Sequence, residues 1–148
     1  MKISKWEIAA DSLATRAVYE KIESGTGCDC DHCKNFEKLG ADVFPPEMHE
    51  IFRLLGIDFA KPVEVFRYCR LDSGLHSYGG WYHFIGSIVD GADCVQNCSV
   101  ELERISDKAS FGFSRQASLV HDSFPDHPVI QLDIDIEIPW VLNETEPD

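Results

Sequence analysis

Positive charge is what this chain of 148 residues has least of: 13 Lys and Arg stand against 26 Asp and Glu, a formal net charge of -13. Such a balance opposes nonspecific attraction to nucleic-acid phosphates and anionic lipid, so neither nucleic acid nor membrane is expected as a partner. A basic protein is the macromolecule it would steer toward itself. No apolar run approaches the roughly 18 residues of a transmembrane helix, and Met1 to Asp11 lacks the uninterrupted apolar core of a signal peptide, which gives a cytoplasmic expectation. Several catalytic signatures are missing as well. There is no phosphate-binding loop, no dinucleotide glycine fingerprint, no metalloprotease helix and no Gly-x-Ser-x-Gly elbow, and without that elbow Ser123 beside His121 makes no hydrolase triad. Repeats and low-complexity segments are absent too.

With 44% hydrophobic residues the chain is long and apolar enough for one ordinary core, folding at this size burying roughly 68 to 70% of the unfolded surface. From Val129 to Ile138, isoleucine and leucine alternate with Gln131, Asp133, Asp135 and Glu137, which predicts a strand with an open acidic face. Pro139 should end its pairing, with Trp140 to Leu142 packing as a coda. Strand character recurs at 62–70, 80–89 and 110–115, with 71–79 as a hairpin loop and a weaker strand at 2–10 facing Trp6 and Ile8 inward. Pro46 at a first turn, the apolar stripe Met48, Ile51, Phe52, Leu54 and Leu55, and Gly56 as a C-terminal stop predict a helix. Others are expected over about 11–22 and 31–39, the latter capped by Asp31. Helices first and strands after them define an α+β fold, an antiparallel sheet with short helices mainly in the N-terminal part. The expected organisation is one domain over 1–142, a cysteine-rich metal loop at 25–36 and a disordered acidic tail at 143–148.

Half of the six cysteines lie in Cys28-Asp29-Cys30-Asp31-His32-Cys33. Cys30 and Cys33 have the two-residue spacer that lets a turn bring both thiolates to one zinc ion. Cys28, two residues before Cys30, leaves an extended backbone on the same side. Gly25 and Gly27 permit the tight path this wrapping needs. An iron-sulfur cluster, a redox dithiol and unliganded thiols are the rivals. A redox cysteine needs its thiolate stabilised by neighbouring cations, whereas Asp29 and Asp31 disfavour thiolates and favour a bound dication. Zinc on Cys28, Cys30 and Cys33 is therefore the expectation, with the fourth ligand open among His32, His49, Cys69, Cys94 and Cys98. An unfilled fourth position would mark a catalytic rather than a structural site. Cys94 and Cys98 form a second site only if their loop-like segment is helical, and Cys69 is expected in the core.

His83, among Trp81, Tyr82 and Phe84, reads as a core imidazole satisfied by hydrogen bonding, with a role as base or ligand as the alternative. Asp133, Asp135 and Glu137 read as a solvated face rather than a cation site, because alternate strand residues diverge.

Taken together, Cys28, Cys30, Cys33, Asn35 and Phe36 in a Cys-x-Cys-x-x-Cys-x-Asn-Phe motif, the stretch Leu55 to Val65, Gly80-Trp-Tyr-His-Phe-Ile-Gly86 and Ile138-Pro-Trp-Val-Leu142 resemble a family of small uncharacterised bacterial proteins. The resemblance implies that the three clustered cysteines belong together and that His83 belongs to a shared aromatic strand. It implies no activity. The resulting expectation is a zinc-binding, non-enzymatic interaction or accessory protein. The alternative is a metal- or thiol-dependent enzyme pairing the cysteine cluster with His83.

Overall fold

The computed structural model describes residues 1–148. Its elements follow the α+β expectation: β1 (Lys2–Ile3), β2 (Trp6–Ala10), α1 (Ser12–Tyr19), α2 (Asp31–Leu39), α3 (Pro46–Leu55), β3 (Glu64–Arg70), β4 (His76–Asp90), β5 (Val95–Gln96), β6 (Ser99–Val100), β7 (Glu103–Ser106), β8 (Ala109–Ser114) and β9 (Val129–Ile138). Seven strands form one antiparallel sheet in the order β1-β2-β4-β9-β8-β7, with β3 also on β4, and β5 pairs with β6 separately.

β4 organises the sheet. One of its edges pairs with β9 from His76 to Ile85, while the other is shared by β3, against residues 76–81, and β2, against residues 86–90. Between those two partners the backbone of His83 and Ile85 faces no strand. Side chains of α1 fill the gap: the Tyr19 hydroxyl donates to the His83 carbonyl at 2.7 Å and accepts its N–H at 3.3 Å, and Thr15 Oγ1 accepts the Ile85 N–H at 3.0 Å. A short helix thus completes an edge that would otherwise leave buried backbone groups unpaired.

The inner face carries the core, which joins 29 buried residues. Ile130, Leu132, Ile134, Ile136 and Ile138 of β9 meet Tyr78, Tyr82 and Phe84 of β4. Phe52 of α3 packs on Tyr82 at a centroid distance of 5.0 Å, and Phe44 sits 4.9 Å from Phe52. Trp6 closes the far end against Phe111 and Phe113, inward with Ile8 as its sequence predicts. α3 ends at Gly56 in the left-handed region, φ 79.

Several boundaries differ from the sequence reading. The hairpin loop is shorter, because Leu71 and Leu75 close it with a 2.7 Å bond and Gly74 supplies a positive φ. Ser77, Tyr78 and Gly79 are strand because they gain partners on both sides, which overrides the weak strand propensity of Gly79. α1 stops at Tyr19 rather than Ile22. The cap of α2 is Cys30, not Asp31, and its side chain makes no capping bond. Cys69 is exposed rather than in the core: the register shift between Arg67 and Cys69 breaks the alternation that would have turned it inward. The acidic tail, expected to be disordered, lies on the sheet, where Glu146 accepts a 2.9 Å bond from His76 and the Asp148 carbonyl accepts from Arg67. Trp140 lies 5.4 Å from the His76 ring.

Candidate metal centre

The loop before α2 turns on two glycines in the positive-φ region, Gly25 at 99° and Gly27 at 74°, where L side chains are strained. Its start is tied down by the Gly25 N–H on the Ala60 carbonyl at 2.8 Å. Glu37 of α2 holds the middle, accepting the Thr26 N–H at 2.9 Å and the Thr26 hydroxyl at 3.0 Å. The Cys28 N–H then donates to the Thr26 hydroxyl at 3.2 Å.

This path brings the sulfurs of Cys28, Cys30 and Cys33 within 4.8 Å of one another. Cys28 and Cys30 are exposed, and Cys33, in the first turn of α2, is 4% exposed. A tetrahedral zinc with bonds of about 2.3 Å holds its sulfurs about 3.8 Å apart. Closing onto such an ion asks for about 1 Å of movement, within the reach of two exposed side chains. The site lies at the N-terminal end of α2, where the helix dipole favours negative charge. The backbone N–H of Cys30, 3.5 Å from the Cys28 sulfur, leads the set of hydrogen bonds that lowers the Cys28 thiol from its ordinary value. Burial pushes the Cys33 thiol up to about 12. The donor chemistry fits a dication that takes thiolates, and binding one would release the thiol protons.

No fourth His, Cys, Asp or Glu joins the three. His32 stacks edge-on against Trp140 at 6.3 Å, and the His49 ring bonds the Ala41 carbonyl at 2.8 Å. Cys69 lies on β3. Cys98 sits exposed in the β5–β6 turn, while Cys94 is 2% exposed on the outer face of the sheet and donates to Asp133 at 3.6 Å. The segment that holds Cys94 and Cys98 is a hairpin, not a helix.

The platform under the triad is Asn35, which is 0% exposed. Its Oδ1 accepts the Val141 N–H at 2.7 Å and its Nδ2 donates to the Pro139 carbonyl at 3.0 Å. Tyr78 of β4 donates to the His32 carbonyl at 2.8 Å, and Tyr82 donates to Phe59 at 2.7 Å. The cysteine motif, the segment after α3, the aromatic strand and the coda after β9 thus meet around one helix. Sequence reasoning grouped these segments without finding Asn35 as their junction. Its signal was a lone amide on the apolar face of a short helix.

His83 is on the other side of the sheet. Tyr78 and Tyr82 point inward, so the odd-numbered His83 points outward, five residues and about 17 Å along the strand from Tyr78. It is 0% exposed and bonds Gln131 at 3.2 Å, beneath Phe124. The structure does not bring it to the thiols. Burial, partly offset by the Gln131 bond, holds its imidazole below the ordinary 6.5. The folded chain takes up a proton on His83 less readily than the unfolded chain, which does so as pH falls through 6.5, so acidification favours unfolding. Between about pH 7.5 and about 5.5 the parent chain should lose more stability than His83→Gln. Denaturant melts at both pH values measure this, and parallel slopes would refute it.

Compared with protein families, curated proteins and solved structures, the chain matches none. No helix is long and apolar enough to cross a membrane.

Proposed function

We propose that this is a zinc-binding interaction protein in which Cys28, Cys30 and Cys33 hold one zinc ion as thiolates. The observation that carries the reading is the convergence of three sulfurs within 4.8 Å on a glycine-shaped loop. Asp29 and Asp31 favour a dication over a free dithiol. The fourth position faces outward and is completed by water or by a ligand from a binding partner. The ion fastens the loop to α2, a structural role, while the 29-residue core packs without it. A charge of -13 favours a basic protein as partner and the cytoplasm, which keeps thiols reduced, as the setting. Membership of the bacterial family with the same cysteine motif is part of this proposal. The open position also supports a second reading, a metal-dependent enzyme, but one that works without His83.

Metal analysis of protein purified without added zinc should find about one zinc per chain, lost in Cys30→Ser. Cobalt substitution should show thiolate charge-transfer bands that weaken when any of the three cysteines is replaced. Chelation should lower the melting temperature yet leave the sheet's far-ultraviolet dichroism intact. Metal-free protein carrying a titratable, low-pKa thiol would overturn the proposal.

A further inference from the structure

The outer face of the sheet carries a cleft with no part in the thiol centre. Its volume is about 460 Å³, within the roughly 300–1,000 Å³ range of small-ligand sites. Phe66 and Tyr68 of β3 and Trp81 of β4 form one wall, Val100 and Leu102 the other, and Asp133 and Asp135 of β9 line the floor. The acidic face that sequence alternation predicts to be open and solvated is therefore partly enclosed.

Two glycines create the space. A side chain at Gly79 would collide with the Phe66 and Tyr68 rings, and one at Gly112 with Cys94 and Leu102, so each wall rests directly on bare backbone. Both walls are also held in place. The Trp81 indole donates to the Ser118 carbonyl at 3.1 Å, and Phe66 stacks edge-on with Tyr68 at 5.1 Å. On the opposite side Arg115 pairs with Asp93, the Cys94 N–H bonds Phe113 at 2.8 Å, and the Glu101 N–H bonds Cys94 at 2.7 Å.

The two carboxylates are oriented but not neutralised. Asp133 accepts from the Gln131 amide at 3.0 Å and from the Cys94 thiol at 3.6 Å, and Asp135 from the Tyr68 hydroxyl at 3.5 Å. Every one of those donors is uncharged. None of the seven ion pairs of the chain includes either carboxylate. Arg104 and Lys108 line the next hollow beside Asp135, but Arg104 turns to the Asp107 carbonyl. Burial holds both carboxyls above their ordinary value, a cost that an incoming cation would relieve.

We propose that this cleft binds a small organic cation, an ammonium or guanidinium group on an apolar body, with its head on Asp133 and Asp135 and its body between the aromatic wall and Leu102. Charge-assisted hydrogen bonds to the carboxylates and cation–π contact with Trp81 supply the recognition. A hard metal ion fits less well, because it wants six or more oxygens and the walls are hydrocarbon.

The test is titration of the full chain with 2-phenylethylamine and its neutral counterpart 2-phenylethanol, followed by NMR at the Trp81 indole N–H, assigned through Trp81→Phe. The amine should shift that signal saturably, and the alcohol should bind about tenfold more weakly or worse. Asp133→Asn should weaken the amine by a similar factor. Asp135→Asn, on the more open side of the floor, carries the same expectation if Asp133→Asn does not fold. No saturable shift up to about 10 mM, well above a Kd of about 1 mM, would overturn the proposal. So would equal binding of the alcohol. A lysine-rich peptide that displaces the amine and binds more tightly would instead assign the cleft to a basic protein.

Discussion

Replacing Asn35 by Ala should destabilise the chain by about 3 kcal/mol, the combined cost of two stranded backbone groups and a small cavity. The amide of Asn35 bonds the Pro139 carbonyl at 3.0 Å and the Val141 N–H at 2.7 Å. Pro139 follows β9 directly, so neither group has a ladder partner to return to. Alanine offers no donor and no acceptor, and the side chain it replaces is fully buried, so both part-buried backbone groups lose their partner at once. For a chain of this size the loss corresponds to a fall of roughly 6–12 °C in melting temperature. Calorimetry of Asn35→Ala beside the parent decides it, and a change below about 1 kcal/mol would show that water replaces the amide without strain. Because α2 also carries Cys33, the variant should bind the proposed zinc more weakly as well.

Tyr19→Phe should cost a similar amount, about 2–4 kcal/mol, although it removes one oxygen atom and keeps the ring. That hydroxyl is both acceptor and donor for the His83 backbone, at 3.3 and 2.7 Å, on the edge of β4 that has no strand beside it there. Burial drives its pKa well up, against the backbone bond to His83 that lowers it, so it stays a neutral phenol able to play both parts. The phenylalanine ring still packs edge-on with Phe124, as Tyr19 does at 6.1 Å, which isolates the hydrogen bonds from the packing. Hydrogen exchange gives the local signature: the His83 amide should lose protection while amides paired with β9 keep theirs. Unchanged exchange at His83 would count against the bridging role.

How much of this was legible in the sequence depends on the range of the interactions. α3 was readable because Pro46, the apolar stripe and Gly56 lie within one helix's length of each other. β9 was readable because its alternation is uninterrupted. The convergence of the three thiols was readable from spacing and the two preceding glycines, since such a loop is a local device. What could not be read were features set by distant partners. Ser77 to Gly79 look like turn residues until β3 and β9 flank them. Cys69 follows the core alternation until a bulge displaces it. The face of Asp133 and Asp135 looks open because nothing nearby in sequence shows that residues 93–102 return across it. The junction role of Asn35 was unreadable for the same reason, its partners lying 104 and 106 positions away.

That last separation sets an order of events during synthesis. The cysteines leave the ribosome early, but the groups that hold α2 in place, Tyr78 and then Pro139 and Val141, follow in two later instalments. Contacts of such high order form slowly, because a long loop must close before they contribute. The nascent thiols are therefore made well before the groups that orient them. A chain released early, before residue 139, would carry the whole cysteine motif and lack the support that orients it.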